Sequence, residues 1–521
     1  MSAMPLAGRR FVVAGAGPIA DECAGLLRVL DGDVVRVRRV TAGLVSAGAE
    51  GAIDATATLA ASEPPFPVVD VAAQCDAVEA WAGSGAMALT GEAGGPPLPC
   101  PSAELPARLA AAGAVIQLLA ATTFGSTLVL DPLALLGERA ALTGHTRRGS
   151  VAVGGACEML RAADGWIALN LARADDVALL PAWLEADIDD PTDVAGTARS
   201  VGRRSTAELV ARGAELGLAL ASWPPAVDPV ASPYVIDGAS RSTARLRPSR
   251  AEPRGGEVPA RGRRDGPLVL DMSSLWAGPL AGGLLAEAGA RVVKVEGARR
   301  ADGARRGTTQ FFDLLNAQKR CIVVDFDDDD DISVLRSLIE HASLVIEGSR
   351  RRVMDRLGID AAAVVARGSS WLSITAYGRD GAFRNRVGFG DDVAVSSGLA
   401  IEGDPPLFVA DAVADPIAGL YAAAAGLACL GATRAHLVDA SLYRSARYAH
   451  GSPVLPVEPI AAPPGSVLPS AVVAPPRVRP PRGSAEAMGA STDEILAEFV
   501  PDVWRERRAK MPTPHPGEGD L

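Results

Sequence analysis

From residue 267 onward the chain alternates short apolar runs with amphipathic stretches. The runs LVLDMS, RVVKVE, KRCIVVDF, SLVIEG and WLSITAY read as strands, and the segments between them carry helical spacing. This rhythm, sustained to residue 378, predicts a parallel sheet wrapped by helices. Ligands are then expected outside the carboxyl ends of the strands. Near the start, FVVAGAGPIA reads as a strand and a glycine turn. Pro416 to Thr433 is uncharged and mostly Ala, Gly and Leu. A membrane span needs about 20 strongly apolar residues, so this stretch reads as a buried core helix.

Two segments interrupt the pattern. Residues 240–266 are rich in Arg, Pro and Gly without apolar period and read as a solvated linker. Residues 452–482, dense in proline, read as an extended tether. The two halves they delimit resemble each other. Ser84–Thr122 and Ser397–Thr433 both run from Ser-Gly through an acidic glycine turn and Pro-Pro to an acidic residue and an Ala-rich helix. Each continues to an expected short strand, ending in Asp131 or Asp439. Upstream, VVAGAGPIADECAGLLRVLDGDVVRV and VLDMSSLWAGPLAGGLLAEAGARVVKVE share one layout of strand, Gly-Pro turn, helix and strand. Units of this size point to duplication of a whole domain rather than to a solenoid.

Composition narrows the function. With 51 Lys plus Arg against 62 Asp plus Glu, the net charge is −11 over 521 residues. Such a chain repels phosphate backbones, which argues against nucleic acid as the main partner. Six cysteines (23, 75, 100, 157, 321 and 429) show no paired spacing, which favours a reducing cytoplasm over a disulfide framework. GAGPIA at 15–20 lacks the acidic strand end of a dinucleotide fingerprint. Asp327 to Asp331 lacks the Gly and Glu of a calcium loop and leads into a helix, so no metal is expected.

Several ordered motifs of the second half resemble the class III (CaiB/BaiF) CoA-transferases. WAGPLAGGLLAEAGARVVKVE is similar to the family's opening turn, helix and second strand. NAQKRCIVVDF, VIEGSRRRVMDRLGID and SITAYGRDG resemble the following segments, and GASTDEILAEF (489–499) its closing helix. PPLFVADAVADPIAGL resembles the segment holding the family's catalytic aspartate in an A-D-x-x-x-G pattern. Ala414-Asp415 fits, with Gly419 in place; Ala410-Asp411 does not, and Asp411 is the nearest competitor. The first half carries Ala103-Glu104 there, with Arg108 in place of the glycine. It also lacks the counterpart of 297–380, yet ADGWIALN and RRSTAELVARGAELGLALASWPP resemble the small domain that the second half has lost.

The resemblance implies a duplicated α/β, Rossmann-like fold. Its expected parts are a degenerate first large domain (1–145), a small α+β domain (146–235), the linker, a second large domain (267–450), the tether, and a C-terminal helix and tail (484–521). It implies transfer of CoA from an acyl-CoA to a carboxylic acid, with Asp415 forming first a mixed anhydride and then an aspartyl-CoA thioester. Coenzyme A is then substrate and product rather than a resident cofactor. Leu275, Trp276, Ala277, Gly278 and Pro279 are the implied CoA-contacting turn, and Lys294, Lys319 and Arg356 the candidate phosphate partners. Asp415 is also a plausible helix N-cap. Fold relatives racemise acyl-CoAs through a His turn. Here that turn is Gly388-Phe389-Gly390, where the transferases usually carry Gly-Tyr-Asp, and Phe exchanges no proton. A non-catalytic CoA-binding or scaffold protein is the third reading. Glu104 is expected to be idle, with neither nucleic acid nor membrane as partner. The family's interlocked dimers imply an intramolecular pseudo-dimer, or else a homodimer, with the small domain docked over Asp415.

Overall fold

The computed structural model describes residues 4–37, 49–54, 67–70, 76–185, 194–226, 228–237, 266–451 and 473–510. The linker 240–266 therefore lies almost wholly outside the described residues, as do Cys75 and residues 452–472 of the tether.

The strands expected in the second half form one seven-stranded sheet. Its order is Arg320–Val324, Arg291–Gly297, Leu268–Met272, Leu344–Glu347, Ser370–Ser373, Leu437–Asp439 and Val235–Asp237. The first six are parallel, and the order reverses between Leu268–Met272 and Leu344–Glu347. That reversal is the crevice where doubly wound sheets bind ligands. The seventh strand runs antiparallel and comes from the first half, with Val438 opposite Ile236.

The first half builds a smaller parallel sheet in the order Asp33–Val37, Arg10–Ala14, Gly51–Asp54, Val68–Asp70. It thus keeps two strands beyond its second, a partial correction to the expected loss of everything equivalent to 297–380. A second correction concerns LVLD at 128–131, which forms no strand. Val129 is 86% exposed, Asp131 accepts from the Ala134 N–H, and the tether's Arg477 pairs with Asp131. The glycine turn at 15–17 is filled by Arg36, which donates to the Gly15 carbonyl (2.9 Å) and the Ala20 carbonyl (3.0 Å).

In each half an Ala-rich helix packs on the helix that follows the first strand. Leu105–Phe124 lies on Pro18–Val29, and Ala414–Leu430 on Ala277–Ala288. The two Ala-rich helices also pack on each other, so one apolar core runs through both halves. Among the described residues Leu105–Phe124 is long and apolar enough to cross a membrane, but it is mostly buried in this core.

The small domain is a three-stranded antiparallel sheet, Cys157–Arg161, Trp166–Asn170 and Ala219–Trp223. Strand alternation divides its side chains. Ile167 and Leu169 meet helices Leu180–Leu184 and Thr206–Leu216, whereas Ala168 and Ala221 face Val395 and Phe408 of the second half. The described end of the tether, 473–482, and the tail then strap the halves together. Pro476 lies over Gly85 and Gly137, Arg479 pairs with Glu138 and Glu287, and Glu486 with Arg320. The closing helix Thr492–Phe499 follows, beside the strand Arg320–Val324.

Candidate active site

The strand Leu268–Met272 ends in a tight turn before helix Ala277–Ala288. Leu275 takes a left-handed conformation (φ 70°) that β-substituted residues avoid. A Cβ at Gly278 would overlap Ser273, so only glycine lets the helix begin there. Two lysines hold this turn from below. Lys319 Nζ donates to Asp271 (2.7 Å), the Pro279 carbonyl (2.7 Å) and Asn316 (2.9 Å). Lys294 Nζ donates to Asp302 (2.8 Å) and the Ser273 carbonyl (3.1 Å), and Asp302 accepts from the Leu275 N–H (3.0 Å). Both lysines are buried, and Lys319 has given all three ammonium protons to the protein. The expectation that they pair with phosphates is therefore corrected: their donors build the turn. Burial, offset by Asp271, leaves Lys319 at about 8.

Asp415 is the second residue of helix Ala414–Leu430, after Val413 at the N-cap, and no side-chain cap bond forms. The capping role considered for it is thus not its role. Four residues on, Gly419 shares its helix face. A Cβ at Gly419 would stand 2.7 Å from the Ala277 carbonyl, so this glycine lets the helix close onto the 273–279 turn. That contact explains the A-D-x-x-x-G spacing physically, because it sets Asp415 beside the turn. Gly390 lies against Asp415 from the other side. A Cβ there would sit 2.5 Å from Asp415 Oδ2 and overlap the Ala412 carbonyl, while the Gly390 N–H donates to the carboxylate. A side chain at position 390 would displace the candidate nucleophile.

Asp415 belongs to a cluster of four carboxylates. Asp391 accepts from the Ala412 N–H (3.1 Å), and Asp392 from the Phe389 N–H (2.9 Å). Asp411 is held by Arg139 of the first half through Nε (3.0 Å) and Nη2. Ala410 and Ala412, either side of Asp411, both have positive φ (51° and 45°), a strain that persists where surrounding contacts enforce it. Asp391, Asp392 and Asp411 are buried, whereas Asp415 is half-buried and makes no ion pair. Desolvation pushes Asp415 up to about 7, against the pull of Arg139 and with a further push from Asp391. Desolvation likewise carries Asp392 to about 7 and Asp391 to about 6. Each therefore titrates close to neutrality rather than in the usual carboxylate range.

The first half touches this cluster at two more points. Asn170 of the small domain donates to Asp392 (3.0 Å), and Thr90 accepts from the Ala410 N–H (3.1 Å). Arg139 also stacks on Trp276 (4.9 Å), whose ring meets Phe311 edge-on. None of these residues of the first half was visible as a site residue in the sequence.

A second feature also escaped it. Arg300 and Arg350 follow the carboxyl ends of Arg291–Gly297 and Leu344–Glu347, and neither has an acidic partner among the described residues. Burial lowers Arg350 first, and the like charges of Arg352, Arg173 and Arg300 lower it further. Arg300, Arg350 and Arg352 thus gather beyond the strand ends without an acidic partner among the described residues, and Arg173 of the small domain, itself paired with Asp176, adds its charge from the other side. The expected Arg356 stands apart from them, two-thirds exposed, with Asp327 at 4.0 Å.

Residues 265–455 match the model of CoA-transferase family III. The chain is 26% identical over 265 residues to the succinyl-CoA–D-citramalate CoA-transferase of Chloroflexus aurantiacus, covering 47% of this chain and 65% of that one. It is 30% identical over 181 residues to the succinate–glutarate CoA-transferase of Agrobacterium fabrum, covering 31% and 45%. A crystal structure of a CAIB/BAIF family protein from Brucella suis is 26% identical and covers 35% of this chain and 54% of that one, with a TM-score of 0.33. The chain thus spans between about half and two thirds of the length of these proteins.

Proposed function

Residues 265–455 belong to CoA-transferase family III, and from that premise we propose that the chain moves coenzyme A from an acyl-CoA to a free carboxylic acid through Asp415. One observation carries the reading. Of four clustered carboxylates, Asp415 alone keeps solvent access without an ion pair, at the N-terminal turn of a helix that favours its anion.

The Asp415 carboxylate oxygen attacks the thioester carbon, the C–S bond breaks, and CoA leaves as thiolate. The thiolate then attacks the aspartyl carbonyl of the anhydride, releasing the donor acid and leaving an aspartyl-CoA thioester. The acceptor carboxylate attacks that thioester, and the freed thiolate takes the new acyl group and restores Asp415. Backbone N–H groups near Gly390 and the 273–279 turn suit the oxyanions of these steps. The unpaired Arg300, Arg350 and Arg352, with Arg173, suit the phosphates of CoA. The relatives named above take succinyl-CoA or the succinate–glutarate pair, so succinyl-CoA with dicarboxylic acceptors is the first pair to try.

The two sheets, the two Ala-rich helices and the shared core support an internal duplication whose halves pack as a pseudo-dimer, with the small domain against helix Gly390–Ser396. The expected result for Asp415→Asn is loss of transfer by ~1000-fold or more with CoA binding retained. Steady-state kinetics and calorimetric titration with CoA measure the two. Wild-type turnover in this variant removes the assignment.

A further inference from the structure

Arg139 is the residue of the first half that enters the carboxylate cluster. It sits in helix Glu138–Thr143, a stretch without any family motif. Its guanidinium is fixed on three sides: bidentate on the fully buried Asp411, stacked on Trp276, and against Gly154, where a Cβ would stand 3.0 Å from Nη2. Its side chain is still 28% exposed. Asp411, its anchor, sits between the two left-handed alanines of the loop that leads directly into Asp415.

The second half supplies an independent parallel. Arg139 stands eight residues after Asp131, and Arg447 eight residues after Asp439, the two ends of the internal repeat. Arg447 reaches the other way, toward the region of Glu104, where it donates to the Gly451 carbonyl (2.7 Å) and feels the Glu104 charge. Each half thus sends one arginine toward the start of the other's Ala-rich helix, but only Arg139 forms an ion pair there, with Asp411.

We propose that Arg139 is the positioning residue of the Asp415 site: it locks the strained 410–412 loop through Asp411 and keeps the carboxylate cluster negatively charged for attack. This rests on the transferase reading. Arg139 faces Asp391 and Asp415 as well as Asp411, and the charge of each supports its own. The other groups facing the cluster are Asp392, with Asn170 on it, and Cys157, Tyr377 and Arg386 around Asp391 and Asp392. Cys157 and Tyr377 are held protonated by burial, and Arg386 acts on Asp392, which leaves Arg139 as the cation whose charge acts on Asp415.

The test uses the full chain and needs no knowledge of the acyl group. The rate at which a water-soluble carbodiimide modifies Asp415 is followed by peptide mass spectrometry from pH 5 to 9. Removing a neighbouring positive charge disfavours the anion, so the midpoint of Arg139→Gln should move up by roughly one pH unit. Arg139→Lys should stay within a few tenths of wild type. Asp411→Asn removes a negative neighbour and should move the midpoint down. In transfer assays Arg139→Gln should lose about tenfold more activity at the acidic than at the alkaline end. A Gln variant that keeps the wild-type midpoint, or shifts of equal sign in the Gln and Asn variants, overturns the proposal even if transfer is impaired. An unmoved nucleophile with failed transfer would mark Arg139 as scaffold only. Normal transfer by Asp415→Asn would instead overturn the functional reading itself.

Discussion

Asp415 and Glu104 occupy corresponding places at the start of two Ala-rich helices, and their surroundings differ at one decisive position. Four residues after Asp415 stands Gly419, which lets the helix meet the Ala277 carbonyl and brings no charge. Four residues after Glu104 stands Arg108, which pairs with Glu104 at 2.5 Å and with Glu22 at 3.2 Å. Arg108 also stacks on Tyr448 (4.6 Å) and donates to its carbonyl. A carboxylate neutralised by its own helix neighbour is a poor nucleophile, because its charge is already spent. In the Asp415 cluster the charge of Arg139 is instead spread over Asp411, Asp391 and Asp415, and its ion pair is with Asp411. On the proposed function, Gly at 419 against Arg at 108 is the difference that would separate a reactive carboxylate from an idle one.

The largest effect that can break this comparison comes from separating the halves. The second half borrows strand Val235–Asp237, Arg139, Asn170 and Thr90 from the first, and the two share a core. Residues 1–250 and 255–521 expressed separately should show no transfer, and coexpression should restore a 1:1 complex and activity. Full activity of 255–521 alone would make the first half an appendage.

A smaller effect sharpens the comparison through pH and stability. Because Asp415 and Asp392 are raised to about 7 by burial, the folded state binds protons that the unfolded chain has released. Their ionisation therefore costs stability as pH rises from the ordinary carboxylate range through about 7. Asp392→Asn and Asp415→Asn should raise the melting temperature more at pH 8 than at pH 5. An equal change at both values would mean that these groups titrate normally. The smallest effect is expected at the other site. Glu104→Gln should change turnover less than ~tenfold, about 1.4 kcal/mol of barrier. A loss matching that of Asp415→Asn would make both sites catalytic.

The sheet of the second half was legible because its strands are buried on both faces and read as apolar runs. The same burial misled the reading of Lys294, whose strand Arg291–Gly297 is buried throughout. A lysine between valines in such a strand has to find its partners inside the protein. The glycine spacing that singled out Asp415 has a physical counterpart in the packing of Gly419 on the Ala277 carbonyl. Arg139 was not legible, because its partner lies 272 residues away and only folding brings them together. The shared eight-residue offset of Arg139 from Asp131 and Arg447 from Asp439 is a sequence signal that could have drawn attention to it. Arg300, on one side, and Arg350 and Arg352, on the other, were hidden likewise, since they follow two strands that flank Leu268–Met272 and meet only at the carboxyl ends of the folded sheet.

On the proposed function, covalent chemistry takes place at Asp415 and not at Glu104. Incubating the full chain with an acyl-CoA in the presence of hydroxylamine, followed by peptide mapping, tests it directly. An activated aspartyl ester or anhydride is converted to a hydroxamate at the residue that carried it. The account predicts a hydroxamate at Asp415 in the wild type, none at Glu104, and none anywhere in Asp415→Asn. A hydroxamate at Glu104 or Asp411, with Asp415 unmodified during turnover, would contradict it.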